Sequence, residues 1–271
     1  MTIRTRNRLN ISLFVIANFF LLAEIILLVF SIFTGRFSFP EVTIDNNSTF
    51  ILTRYFPYAV LASLYIQIIY VSVTSIILYR SFEKTQASDI VYFYLFLIAC
   101  LADSFRLFIP LLGIAETYSN LLIFCGNATV FAKILMPLSL LCTVILNTVE
   151  QRQDIEKNIF ILILISIFFA GFIPLNTAVT CPNFAVDYSY KATLKVTTII
   201  LLCASVIALY FDNKSHMHRQ RTTIGFGLIS AGMYILYEST NLLKLVIAFG
   251  ALIAGNILYL KELHNQYMWN D

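Results

Sequence analysis

Long apolar stretches alternate with short polar segments along nearly the whole chain. Eight stretches approach or exceed the roughly 20 residues needed to cross a bilayer as a helix. They cover about 11–34, 57–79, 90–114, a region within 120–148, 159–176, 193–211, 223–238 and 241–260. The pattern predicts an all-α membrane protein, a single bundle of eight transmembrane helices. The alternative is seven, because only Glu238-Ser239-Thr240-Asn241 separates the last two stretches. One helix over 223–260 would run about 57 Å at 1.5 Å per residue, nearly twice the hydrocarbon thickness. That length favours two helices. The region 120–148 is too long for one straight span, and Gly126-Asn127 suggests a break there, with a short outer piece before the main helix. Pro137 and Pro174 lie in or near the ends of spans, where each can kink a helix and free a carbonyl.

Composition supports the same class. Of 271 residues, 59% are hydrophobic and 12% charged, against about 25% charged in ordinary soluble domains. The chain is expected to form one polytopic membrane domain over residues 1–271, with no soluble domain. A net charge of +3 is too small and too scattered to point to nucleic acid. Arginines followed by an apolar run at the start resemble a signal peptide. The run Ile11 to Phe33 is longer than a signal peptide's apolar core and no small-x-small site follows, so it reads as a retained first helix.

Basic residues set the orientation. With eight spans and the N-terminus inside, inner segments hold Arg4, Arg6, Arg8, Arg80, Lys84, Arg152, Lys157, Lys214, Arg219, Arg221 and Lys261. Outer loops hold Arg36, Arg54, Lys191 and Lys195. The bias places both termini in the cytoplasm, and the plasma (inner) membrane is the expected location. An even number of crossings follows. Overlapping N-x-S/T sequons at Asn46-Asn47-Ser48-Thr49 lie in the first outer loop and could carry glycan in a secretory context. The loop 178–193 reads either as a plain connector or as cover for an outward cavity. Cys181, in that loop, has no evident disulfide partner.

Against this background the ionisable residues inside spans stand out: Glu24, Asp103, Arg106, Lys133, Glu238 and Lys244. Each charge at membrane depth costs about 2.5–3.5 kcal/mol on insertion scales, so such residues pair or line a wet cavity. Three acids and three bases can neutralise one another. Asp103 and Arg106, three apart, share a helix face. Topology puts most of the set at mid-depth or in the outer leaflet. The six are candidate ligand-binding residues of an outward-facing polar pocket, and interhelical pairing is the competing reading. Asn18, Gln67, Asn127 and Asn256 can bond across helices, and Gly227/Ala231 and Ala251/Gly255 have the small-xxx-small spacing of close helix packing.

Function is less legible. No intramembrane histidine, G-x-S-x-G, H-E-x-x-H or P-loop pattern occurs, so an enzyme is not expected, and no cofactor or metal is implied. Lys244 in the final span lacks the companions of a retinal-binding lysine: Thr240 precedes it by one turn, and Trp269 is the sole tryptophan. The leading expectation is a sensory or signalling membrane module that couples an outward pocket for a small polar ligand to a cytoplasmic or membrane partner. The amphipathic stretch Leu258 to Tyr267 is the segment a partner would read. A transporter or channel, and a structural or assembly subunit, are the alternatives.

Overall fold

The computed structural model describes residues 3–40, 51–83, 89–115, 117–145, 154–213 and 219–268. Several expectations lie outside them: the sequons at 46–49, the basic Lys84, Arg152 and Lys214, and Trp269.

Helices dominate. They are α1 (Ile3–Thr34), α2 (Pro57–Phe82), α3 (Asp89–Asp103), α4 (Phe108–Leu112), α5 (Asn120–Ile145), α6 (Ile155–Phe172), α7 (Lys191–Asn213), α8 (Arg219–Tyr237) and α9 (Leu242–Met268). Among the described residues, seven helical segments are long and apolar enough to cross a membrane, with α3 and α4 counted as one segment, Asp89–Leu112. α8 is not among the seven. It is 19 residues long, begins with Arg219, and buries Thr222, Thr223 and Ser230. The set fits an all-α, multi-pass membrane protein.

Burial grades from the centre outward. α3 is almost wholly enclosed, and α2 and α5 are buried over much of their length. α1, α6 and α7 lie at the periphery and expose Phe19, Phe33, Phe160, Ile167, Ile200 and Phe211. A soluble protein rarely exposes an apolar surface so continuous. Against lipid tails it is the expected exterior, because the backbone polar groups are satisfied inside each helix.

The segment 223–260 forms two helices. α8 ends at Tyr237, α9 starts at Leu242, and the two pack antiparallel. A Cβ added at Gly225 would stand 2.6 Å from the backbone nitrogen of Tyr259, and one at Gly255 would stand 2.8 Å from that of Ile229. One added at Gly232 would stand 3.1 Å from the Ala251 Cβ. Ala251 and Gly255 therefore do serve close packing, as their spacing implied. Gly227 does not, since its nearest neighbour is a methyl of Val206 at 3.7 Å on α7.

Three expectations about the helices need correction. The break expected at Gly126-Asn127 is absent, because α5 is continuous from Asn120 to Ile145. Gly126 instead lets another element approach: a Cβ there would meet Leu175 Cδ1 at 2.7 Å and Val186 Cβ at 3.2 Å. Pro137 sits inside α5 without ending it. Second, the fifth apolar stretch stops being helical at Phe172, ahead of Pro174, whose ring disfavours helical geometry in the residue before it. Third, the loop expected at 178–193 is a β-hairpin. β1 (Leu175–Thr180) pairs antiparallel with β2 (Val186–Tyr188), with Leu175 opposite Tyr188 and Asn176 opposite Asp187. At its tip Phe184 takes a left-handed backbone, φ 61°. Its ring is fully buried and stacks 5.9 Å from Phe39, and this burial offsets the backbone strain.

Connecting segments gather at two ends. At one end Ser38 N donates to Pro110 O, Phe56 N to Thr240 O, and Phe39 meets the hairpin. At the other, Arg6 donates to Phe82 O, Ser81 O contacts His264 Nδ1, and Arg221 pairs with Glu262.

Candidate functional site: a buried ionic centre beneath a hairpin

The helix that carries Asp103 changes gauge there. After Asp103 the backbone tightens into a 3₁₀ turn over Ser104–Leu107 before resuming as α4. A 3₁₀ turn eclipses residues i and i+3, so the Arg106 side chain is brought directly onto Asp103. The two form a salt bridge with both side chains essentially inaccessible. Arg106 is the largest fully buried side chain among the described residues.

A buried guanidinium needs every donor occupied, and the fold supplies the acceptors. Arg106 Nε donates to the Asp103 carbonyl (3.3 Å). Nη1 donates to the carbonyl of Asn183 at the hairpin tip (3.1 Å) and to that of Tyr237 at the end of α8 (3.3 Å). The Tyr237 ring lies 5.7 Å from the guanidinium carbon, within cation–π range. Asn183 reinforces the junction by donating Nδ2 to the same Tyr237 carbonyl (3.1 Å). One arginine thus ties three elements: its own helix, the hairpin and α8.

A second cluster lies alongside. Lys133, on α5, donates to Tyr188 Oη on β2 (3.2 Å) and to Glu238 Oε1 (3.4 Å), with its ammonium 5.3 Å from the centroid of the Tyr188 ring. Lys195, near the start of α7, donates to Glu238 Oε2 at 2.9 Å. Glu238 sits in the turn after α8, held between two lysines. Burial pushes its carboxyl up, but Lys133 and Lys195 outweigh burial and hold it below the usual carboxylate range. Lys244, at the start of α9, reaches back to the Glu238 carbonyl (3.3 Å) and Thr240 Oγ1 (3.4 Å).

The structure therefore gathers five of the six residues singled out from sequence: Asp103, Arg106, Lys133, Glu238 and Lys244. Glu24 stands apart on α1. Its side chain is fully buried, and neither carboxylate oxygen has a hydrogen-bond partner; Tyr65 reaches only its backbone carbonyl, at 3.4 Å. Sequence reasoning missed Lys195, which it left in an outer loop, and Asn183, Tyr188 and Tyr237. Hydropathy gives no local signal for these four, because their role comes from a hairpin folding back on the bundle.

The space between the groups is small. A cavity of about 20 Å³ is lined by residues that include Lys133, Lys195, Thr198, Tyr234 and Glu238. That is room for about one water molecule. Among the described residues, the side chains of this centre close on one another and leave no larger opening between them.

A further polar layer lies in the membrane-spanning part. Gln67 on α2 donates to the Cys100 carbonyl (2.9 Å). Asn256 on α9 donates to Thr74 Oγ1 (2.8 Å) and accepts from Tyr70 Oη (3.3 Å). These are the cross-helix bonds expected of Gln67 and Asn256. Asn18 instead bonds within its own helix, to Phe14 O.

The fold and this ionic centre define a class, a multi-pass all-α membrane protein with buried charge pairs under a hairpin cap. No protein-family model matches the chain, and no curated protein or solved structure matches it.

Proposed function

We propose that this chain is a sensory or signalling membrane module. In this reading it has eight crossings, with α8 the eighth, as one polytopic domain of the plasma (inner) membrane with both termini cytoplasmic. A small polar or charged ligand arriving from outside acts on the hairpin and the ionic centre, and a cytoplasmic or membrane partner reads the result. No catalytic step is assigned to it.

One observation carries the reading. Arg106 bonds the hairpin tip and the end of α8 with a single guanidinium, so the two cannot move independently without breaking buried hydrogen bonds. α8 packs along α9 with backbone-to-backbone closeness, and α9 continues to the opposite end of the bundle. A ligand that lifts or reseats the hairpin therefore has a stiff path to the far end. The chemistry of the cluster suggests the ligand's class. Four cations (Arg106, Lys133, Lys195 and Lys244) face two acids (Asp103 and Glu238), which favours an anionic or zwitterionic group that competes with Glu238 for Lys133 and Lys195.

The test is hydrogen exchange on the protein in nanodiscs, wild type against Arg106→Gln. Faster exchange in residues 175–190 together with the far end of α9 is the expected result. A change confined to the hairpin would refute the coupling.

A structural or assembly subunit is the second reading, favoured by the water-sized cavity and the mutual neutralisation of Asp103 with Arg106. The same cavity gives no support to a transport path. Unaltered flux of labelled amino acids and organic anions in vesicles, with and without Asp103→Asn, would remove the transporter alternative.

A further inference from the structure

A separate cleft of about 300 Å³ opens between α2 and α9, at the end of the bundle away from the hairpin. It is lined by Ile77 and Ser81 on α2 and by Asn256, Ile257, Leu260, Lys261 and His264 on α9. The lining is graded along the helix axis. Ile77, Ile257 and Leu260 make an apolar trough, with Ile257 60% exposed. Lys261 and His264 stand at its end, beyond the last apolar residue.

The polar groups are disposed for a ligand with an anionic head. Asn256 is already committed to Tyr70 and Thr74. His264 Nδ1 lies 2.9 Å from the Ser81 carbonyl, which can only accept, so Nδ1 donates to it and the ring is fixed at the edge of the cleft. Glu262, the nearest acid along α9, is turned to Arg221 on α8. Among the described residues no carboxylate pairs with Lys261. A cationic end on an apolar groove that opens toward the lipid matches one amphiphile in charge and in polarity order.

We propose that the α2/α9 cleft is a binding site for an anionic phospholipid, its phosphate on Lys261 beside the His264 ring and an acyl chain along Ile77, Ile257 and Leu260. The site is independent of the hairpin centre and of the signalling reading. Charge at the interface and apolar burial in the groove act together, as in basic inter-helical lipid pockets generally.

Native mass spectrometry of the detergent-purified full chain tests it, with dioleoylphosphatidylglycerol and dioleoylphosphatidylcholine added at equal concentration. The expected result is a retained phosphatidylglycerol adduct, favoured about fivefold over phosphatidylcholine, the discrimination one lysine near the surface supplies. Lys261→Gln should remove that preference and Lys261→Arg should keep it. Ile257→Trp, which fills the trough and leaves the charge, should reduce retention of the adduct. Arg36→Gln removes an exposed cation at the hairpin end of the bundle, far from the cleft, and should change nothing. Circular dichroism checks that each variant is folded. Equal retention of the two lipids, an undiminished preference in Lys261→Gln, or displacement of the lipid by millimolar inorganic phosphate would each overturn the assignment.

Discussion

The ion pair at the centre of the bundle makes a quantitative prediction. Replacing Arg106 with Gln leaves the Asp103 carboxylate fully buried without its ion-pair partner. It also deprives the Asn183 and Tyr237 carbonyls of the Arg106 Nη1 donor. Breaking a buried pair from one side costs about 3–5 kcal/mol, mainly because the surviving charge is stranded. Asp103→Asn should cost less, about 2–3 kcal/mol, since Arg106 keeps three carbonyl acceptors that partly hold the cation. The double variant strands no charge. It should cost about the same as the weaker single variant, so the cycle should be non-additive by the full cost of Arg106→Gln, about 3–5 kcal/mol. Reversible unfolding in mixed micelles, titrated with dodecyl sulfate and followed by circular dichroism, measures all four corners. Additive costs, or single variants within about 1 kcal/mol of wild type, would mean that the two charges do not depend on each other, and the account of the centre would fail.

Three other outcomes follow from neighbouring observations. Gly255→Ala should destabilise by about 1–3 kcal/mol because its new methyl meets backbone at 2.8 Å, whereas Gly227→Ala, with 3.7 Å to a side-chain methyl, should be close to neutral in the same unfolding assay. Glu24→Leu should stabilise the fold by about 1–3 kcal/mol, because it removes two buried oxygens that have no partner, and a lower midpoint in dodecyl sulfate would contradict this. Glu238 is held below its ordinary range, so its stabilising contribution is complete above the ordinary carboxylate range and is lost as pH falls through its lowered value; Glu238→Gln should flatten the acid side of a stability-against-pH profile, and an unchanged acid limb would contradict it.

How much of this was legible in the residues differs from element to element. The polar patch at 238–241 was rightly read as a turn, because a helix through it would have outrun the bilayer. Asp103 with Arg106 was visible from spacing alone, whereas Lys133 and Glu238 were legible only as members of a charge set able to neutralise itself, not as a pair. The 3₁₀ turn that seats Arg106 on Asp103 was not visible, since both α and 3₁₀ geometry put i and i+3 on one side. Gly126 shows the limit most clearly. In sequence a glycine beside an asparagine looks like a helix breaker. In the fold it is a recess in an unbroken helix, required by Leu175 and Val186 of a hairpin much further along the chain.

The sequence by itself determined the solvent: so few charges and so many long apolar runs admit only a lipid environment, and burial cost then forces the remaining charges to find partners. It could not choose those partners. Which carbonyl meets Arg106, why Lys195 joins Glu238, and why Glu24 meets no one depend on how the helices and the hairpin pack. Hydropathy is a sum over neighbours in the chain, whereas a buried charge is satisfied by neighbours in space. Only the tertiary structure brings residues 106, 183 and 237 to one point.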